Sequence, residues 1–443
     1  MTESSRQTAF SALMRVERDG SYSNIALDAI LSGSGLSQRD KSFVSGIFYG
    51  VMERRLLLDY NIAVYSDIPL NKLDKEIVII LRMGLYQIFF MDSVPDSAAV
   101  NESVRLCHIN RLSNASGFVN GLLRSAVDYG NIKLPNPKKS KSKFYSVLYS
   151  CPESIVRLWR SSYGDDITKE VLMSLEGRPP VNARVNTLKT DKAHLKQSFE
   201  KSGIRAVYSE CTDHCLKLEN TGAIEKLPQY RQGLFHIQDT ASQLCCQMLN
   251  VREGQTVLDV CAAPGGKTFT LAEMMNNKGQ IIACDLYPSR TGLIEKGAER
   301  LSIEIIRTLT GDSAVMRDLP KADRVLCDVP CSGLGIIRRK PELRYKEDPG
   351  FDTLPELQYR ILCNSAGFVK EGGILIYSTC TLSPWENNQN ARKFLGEHEE
   401  FEPYPLMLPD HIKRGIEEND NELTLFPHLN DTDGFFISAF RRK

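Results

Sequence analysis

The sequence predicts an α/β protein: a doubly wound, Rossmann-like parallel sheet in its second half, preceded by an all-helical domain and a small α+β module. Three observations carry this. From about residue 238, short apolar runs alternate with helical stretches, the pattern that builds parallel sheets. Up to about residue 130, apolar residues recur at helical spacing throughout. Between these regions, Leu134-Pro135-Asn136-Pro137-Lys138-Lys139-Ser140-Lys141-Ser142-Lys143 has linker composition.

The expected domains are therefore 1–133, all helical, a basic linker at 134–143, the α+β module at 144–237 and the α/β sheet at 238–443. In the first, Ile25, Leu27, Ile30 and Leu31 mark one helix face, and Phe43, Val44, Ile47, Phe48 and Val51 another. Residues 76–91 are apolar nearly all round, which predicts the buried central helix of a bundle; the stretch falls short of the ~20 residues that a bilayer span needs. Val94-Pro95 ends it, and Asp96 or Ser97 is placed to cap the next helix. In the module, strands are expected at 181–186 and 215–219 around a helix near 191–202. In the last domain strands are expected at 256–259, 281–285, 304–307, 324–328 and 373–378, with a closing strand at 434–440. Helices fit 267–276, 289–300, 354–370 and 386–397; Leu354, Leu357, Ile361 and Leu362 mark the face of the third.

Bulk properties narrow the function classes. The chain has 443 residues, 42% apolar, with 55 basic against 55 acidic side chains. Its first 150 residues hold 18 Lys and Arg against 14 Asp and Glu, roughly +4, leaving about −4 for the remainder. Lys133, Lys138, Lys139, Lys141 and Lys143 form one basic cluster, and Arg338, Arg339, Lys340 and Arg344 another. Such clusters are solvated surface or phosphate contacts, and charge alone does not decide between them. No apolar run approaches a membrane span, and Met1-Thr2-Glu3-Ser4-Ser5-Arg6-Gln7 lacks secretory character, so no membrane partner is expected. Twelve cysteines in such a chain read as reduced thiols in the cytoplasm. A monomer is expected.

Three segments carry chemistry. Asp259-Val260-Cys261-Ala262-Ala263-Pro264-Gly265-Gly266-Lys267-Thr268 follows an expected strand and opens a helix, where glycines let backbone approach a ligand. It is neither a Walker loop nor the dinucleotide fingerprint. Asp285 ends the next strand, placed to accept from a ribose diol, and Asp312, in Gly311-Asp312-Ser313, could meet an adenine amino group. Together they point to an adenosyl cofactor without a diphosphate. Cys331, in Asp328-Val329-Pro330-Cys331-Ser332-Gly333, and Cys380, in Tyr377-Ser378-Thr379-Cys380-Thr381, each follow a strand and precede polar turn residues, which puts both thiols at the carboxyl edge of the sheet. Their activation needs the thiolate, favoured by positive charge from Lys267 or Arg338. A nucleophilic thiol, a second thiol and a cofactor loop suggest covalent catalysis at an unreactive carbon. Cys211-Thr212-Asp213-His214-Cys215 lacks a second pair at zinc-ribbon spacing, so no metal is expected. A Gly-x-Ser-x-Gly nucleophile elbow is absent.

These residues resemble the signature blocks of the Nol1/Nop2/Sun (Fmu) family of RNA 5-methylcytosine methyltransferases. Ala183-Arg184-Val185-Asn186-Thr187, Gln238-Asp239 and Asp433-Gly434-Phe435-Phe436 fit its outer blocks, and Val100-Asn101-Glu102-Ser103-Val104 with Gly117-Phe118-Val119-Asn120-Gly121-Leu122-Leu123-Arg124 resembles a NusB-like RNA-binding domain. The resemblance covers nearly the whole chain. It implies a Rossmann-like methyltransferase sheet using S-adenosyl-L-methionine, with Cys380 the nucleophile towards carbon 6 of cytosine. It also implies that Cys331 assists loss of the carbon-5 proton and release of Cys380, that Asp328 contacts the base near ring nitrogen 3, and that Lys267 orders the site. The donor is then expected over Cys261, Ala262, Ala263, Pro264, Gly265, Gly266 and Lys267, near Asp328, with its ribose on Asp285, its adenine near Asp312 and Arg290 as a brace. Two departures stand out: Pro341-Glu342, where the family has Pro-Asp, and Thr381, where serine is frequent. A Pro-Cys and a Thr-Cys together point to RNA rather than DNA, and the NusB-like fusion to a single-stranded or loop cytosine of 16S ribosomal RNA. Transfer RNA, or a non-catalytic RNA-binding role in ribosome assembly, remain the alternatives.

Overall fold

The protein is described here from a computed structural model covering residues 5–20, 23–177, 179–346, 350–416 and 419–443. The chain forms two compact units, Met1–Gly177 with Ile337–Glu347, and Arg178–Ile336 with Asp348–Lys443.

The first unit is helical: α1 (Ser5–Asp19), α2 (Ser23–Gly33), α3 (Gln38–Glu53), α4 (Arg55–Tyr65), α5 (Lys75–Phe90), α6 (Asp96–Ile109), α7 (Ser116–Tyr129), α8 (Lys141–Leu148) and α9 (Glu153–Ser174). The apolar stretch at 76–91 is α5, which buries Ile79, Ile80, Leu81, Met83 and Leu85 at the centre. Its one buried charge, Arg82, is held bidentately by Asp59, at 2.6 Å and 2.9 Å. That pairing is what lets a guanidinium sit in an apolar bundle. Helix α6 begins at Asp96, but its N-cap is Pro95 and no side chain caps it.

The unit runs on past the expected linker. Ser140 caps α8 by accepting from the Lys143 amide, and α8 and α9 bury Tyr145, Val147, Ile155, Val156 and Trp159. Those apolar faces need a partner, and the compact unit they pack into runs to Gly177. Residues 337–346 also belong to this unit. Arg344, expected among phosphate-facing cations, is 3% exposed and donates to the carbonyls of Tyr149 and Ser150. Arg338, expected as a charge source for the thiols, donates to the Gly177 carbonyl.

The second unit opens with a four-stranded antiparallel sheet of β1 (Val181–Val185), β2 (Arg205–Tyr208), β3 (Cys215–Glu219) and β4 (Phe235–Ile237), in order β2-β3-β1-β4, with α10 (Lys192–Lys201) and the short α11 (Pro228–Arg231). The sequence reading missed β2 and β4, which are only four and three residues long. Next come α12 (Thr240–Leu249), also missed, β5 (Thr256–Asp259), α13 (Gly266–Met274), β6 (Gln280–Asp285), α14 (Pro288–Leu301), β7 (Ile306–Thr310), β8 (Ala322–Asp328), α15 (Leu354–Ala366), β9 (Val369–Thr379), α16 (Asn388–Glu397), β10 (Phe401–Pro403), β11 (Glu422–Leu425), α17 (Pro427–Asn430) and β12 (Phe435–Arg442).

The large sheet has the order β10-β12-β9-β8-β5-β6-β7, with β11 added beside β12. Strands β5 to β9 pair in parallel, and β12 returns antiparallel to β9. Strand β7 lies two residues later than expected. The third expected helix stops at Ala366 because β9 already begins at Val369; Gly372 (φ +69°) and a register shift opposite Ala322 and Arg324 let one strand continue through the glycines. Arg184 of β1, 2% exposed, meets Glu273 of α13 at 3.1 Å, tying the small sheet to the helix that follows the glycine loop. No helix among the described residues is long and apolar enough to cross a membrane.

Candidate active site

The chain order reverses between β5 and β8, and at such a switch point the loops leave a crevice beyond the carboxyl strand ends. The loop after β5 lines it. Gly265 has φ +108°, and a Cβ there would lie 2.5 Å from the Phe269 ring, so only glycine fits. The loop walls a cavity of about 220 Å³ together with Gln238, Asp259, Lys267 and Asp328. Asp259 is buried: its Oδ2 accepts from Thr268 Oγ1 at 2.7 Å, while its Oδ1 makes no hydrogen bond among the described residues. The Gln238 Nε2 amide is likewise left without an acceptor.

Asp285 ends β6 and is buried behind this loop. Its Oδ2 accepts from the Ala263 amide at 3.2 Å, and Arg290 donates to the Ala263 carbonyl at 3.0 Å while standing 3.5 Å from Asp285 Oδ1. Asp285 and Arg290 thus hold the loop, and neither lines the cavity. Asp312 is exposed beyond β7, where its Oδ1 accepts from the Ala314 amide; it does not join the wall either.

Strands β8 and β9 are parallel neighbours with Asp328 opposite Ser378, so the segments after them emerge side by side. The Cys331 and Cys380 sulfurs lie 3.1 Å apart, both half-buried. Gly335 packs against the second loop, donating its amide to the Cys380 carbonyl at 3.0 Å; a Cβ there would fall 1.9 Å from the Gly434 carbonyl oxygen. Asp328 accepts from Lys267 Nζ at 2.6 Å and from Ser378 Oγ at 2.8 Å. Burial opposes the Lys267 charge, but the adjoining Asp328 carboxylate outweighs it and the ammonium is held more firmly than usual. The Cys331 thiol is pushed well above its ordinary value, first by its hydrogen bond to Cys380, then by burial and by the charges of Cys380 and Glu386.

Sequence reasoning missed Glu386, which is fully buried beneath the two cysteine loops and accepts from the Ser332 amide and from Gln358. The signal was a run of polar residues, Glu386-Asn387-Asn388, just after an apolar strand and the Thr-Cys motif. Of the other cysteines, Cys211 donates to the Asn430 carbonyl and Cys215 is buried in β3.

Burial pushes the Asp259 carboxyl up to about 7, more than the Thr268 hydrogen bond can offset. An unfolded carboxyl titrates near ~4. Between those values the native protein keeps a proton that the unfolded chain has lost, so this group makes stability fall as pH rises. In the ligand-free protein, melting temperature is expected to drop from pH 5 to pH 8 more steeply for the natural chain than for Asp259→Asn. Parallel curves in thermal unfolding would refute this.

Comparison with known proteins gives the family. Residues 246–441 match the family described as 16S rRNA methyltransferase RsmB/F, residues 151–225 its ferredoxin-like domain, and residues 3–128 the NusB family. A Synechocystis sp. (strain ATCC 27184 / PCC 6803 / Kazusa) protein named "Probable ribosomal RNA small subunit methyltransferase B" is 36% identical over 99% of this chain and 99% of its own length. A Bacillus subtilis (strain 168) protein of the same name is 33% identical over 99% and 98%. The crystal structure of PH0851 superimposes with a TM-score of 0.82 at 27% identity, covering 98% of each chain. With full-length identity of this order, a NusB-type helical start and a methyltransferase sheet, the chain belongs to the family of ribosomal RNA small subunit methyltransferases B.

Proposed function

We propose that the protein transfers a methyl group from S-adenosylmethionine to carbon 5 of a cytosine in 16S ribosomal RNA, through a covalent bond between Cys380 and carbon 6 of the base. The observation that carries this reading is the contact of two sulfurs, one from each strand-end motif, at 3.1 Å.

The cavity fits the donor's amino-acid end. Asp259 Oδ1 offers an acceptor and Gln238 Nε2 a donor, both buried and both without partners among the described residues, as an ammonium and a carboxylate require. Bare backbone at Gly265 and Gly266 permits close approach, and Asp285 stands at the neighbouring strand end for a ribose. When bound, the donor supplies an electrophilic methyl group.

Carbon 5 of cytosine is a poor nucleophile until something adds at carbon 6. The Cys380 thiolate adds there, the carbon 5–carbon 6 double bond opens, and carbon 5 becomes the nucleophilic end of an enamine. Asp328, oriented by Lys267 and Ser378, faces ring nitrogen 3 and manages the proton that stabilises this adduct. Once Cys380 is a neutral thioether, its charge and its hydrogen bond no longer hold the Cys331 pKa up; burial and Glu386 remain, and Cys331 becomes more acidic than before. It then takes the carbon-5 proton; the freed electron pair re-forms the ring double bond and Cys380 leaves as thiolate. The base must leave its stack at a cost of a few kcal/mol, least where it is already unpaired, which favours a loop cytosine. Such an enzyme would act in the cytoplasm, as a monomer.

The test supplies S-adenosylmethionine, labelled in its methyl group, with unmodified small-subunit ribosomal RNA or transfer RNA. Label is expected as 5-methylcytosine in the ribosomal RNA. Label at another atom, or in transfer RNA alone, would overturn the assignment.

A further inference from the structure

We infer that Glu386 is a positioning residue for the cysteine pair: its buried carboxylate clamps the loop of Cys331 to the loop of Cys380 and so sets the contact between the two sulfurs. This rests on the covalent reading above and deepens it.

Glu386 is 0% exposed and, among the described residues, forms no ion pair with Lys or Arg. A carboxylate so placed is costly unless donors converge on it. Four do. Its Oε2 accepts from the Ser332 amide at 2.9 Å and from Gln358 Nε2 at 2.8 Å; its Oε1 accepts from Ser332 Oγ at 2.5 Å and stands 3.4 Å from Thr381 Oγ1. Ser332 follows Cys331 and Thr381 follows Cys380, and their hydroxyls also meet at 2.7 Å. Gln358, from α15, completes the grip by donating to the Pro330 carbonyl at 2.9 Å. Cys331 is therefore fixed through the residues on both sides of it.

The neighbouring side chain treats the other thiol in the same way. Asn387 accepts from Thr379 Oγ1 at 2.5 Å and donates to the Thr381 carbonyl at 3.0 Å, so Cys380 too is held from both sides. One dipeptide thus sets the approach of two loops that leave different strands. A misplacement of about 1 Å at such a contact can cost ~100-fold in rate.

The charge acts as well as the geometry. The Glu386 field is among the causes that keep the Cys331 thiol protonated, after the Cys380 hydrogen bond, burial and the Cys380 charge. Other titratable groups near the pair among the described residues include Tyr377, whose hydroxyl donates to the Glu386 carbonyl, Cys327 in β8, Cys245 in α12, and the Asp328–Lys267 ion pair. Removing one negative charge from this set should let the Cys331 thiol ionise at lower pH.

The experiment compares the full-length natural enzyme with Glu386→Gln, using unmodified small-subunit ribosomal RNA and S-adenosylmethionine. The expected result is a fall in kcat of ~10–100-fold, KM values within about threefold, and a bell-shaped kcat/KM profile displaced to lower pH. A kcat within threefold of the natural enzyme, or a loss of rate with the pH profile unmoved, overturns the proposal. Should Glu386→Gln fail to fold, Ser332→Ala/Thr381→Val decides: it strips the hydroxyl donors and leaves the carboxylate, so kcat must fall about tenfold or more with donor binding retained, and an unchanged kcat overturns the clamp. Cys380→Ala is run alongside. If it still methylates, the covalent reading itself fails, whatever Glu386 does.

Discussion

Cys380→Ala should abolish methyl transfer while leaving S-adenosylmethionine binding intact. The thiol is not one donor of charge among several: without addition at carbon 6, carbon 5 has no electron pair to give, and positioning alone cannot supply one. Loss of a covalent nucleophile typically costs at least ~10³-fold, and here the residual rate should fall below detection. The cavity next to the glycine loop is walled by Asp259, Gln238, Lys267 and Asp328, not by Cys380, so donor affinity should change by less than about threefold. Two measurements on one preparation decide the matter: label incorporated into RNA, and a binding titration with the donor. Measurable 5-methylcytosine from Cys380→Ala would show that the thiol is dispensable and would end the covalent mechanism.

How much of this arrangement was legible beforehand follows from what each kind of signal can carry. Strand β5 and the glycine loop were readable because local chemistry dictates them: an apolar strand must end before Pro264 and Gly265, and the φ of Gly265 demands glycine. The convergence of Cys331 and Cys380 was readable because two strands of one parallel sheet deliver their following loops to one edge. The missed strands β2, β4, β10 and β11 are three or four residues long and owe their pairing to neighbours distant in sequence. That the first compact unit runs on to Gly177 is set by the apolar faces of α8 and α9, which a Lys-Ser stretch before them does not announce. Asp312 stands at a strand end as expected for a ligand group, and its Oδ1 accepts from the Ala314 amide. Glu386 is the instructive omission. A glutamate in sequence reads as solvated surface, and only the fold brings donors from two loops and a helix around it.

The opposite substitution should leave a different signature. Cys331→Ala is expected to accumulate a covalent protein–RNA adduct, visible as a slower band on a denaturing gel that protease removes. Of the two thiols, addition needs only Cys380, and methylation follows it, so both steps remain open to the variant. What is lost is the group able to take the carbon-5 proton from within contact of the leaving sulfur, at 3.1 Å in the natural protein. The Cys331 pKa, raised while Cys380 is an anion beside it, suits it to wait as a thiol during addition and to ionise only after Cys380 has become a thioether. Deleting that base should slow turnover by ~10²–10⁴-fold. The adduct should carry the methyl label and should not form in the Cys331→Ala/Cys380→Ala double variant. If Cys331→Ala instead turned over freely and Cys380→Ala trapped the RNA, the strand-end motifs would keep their geometry but exchange their roles.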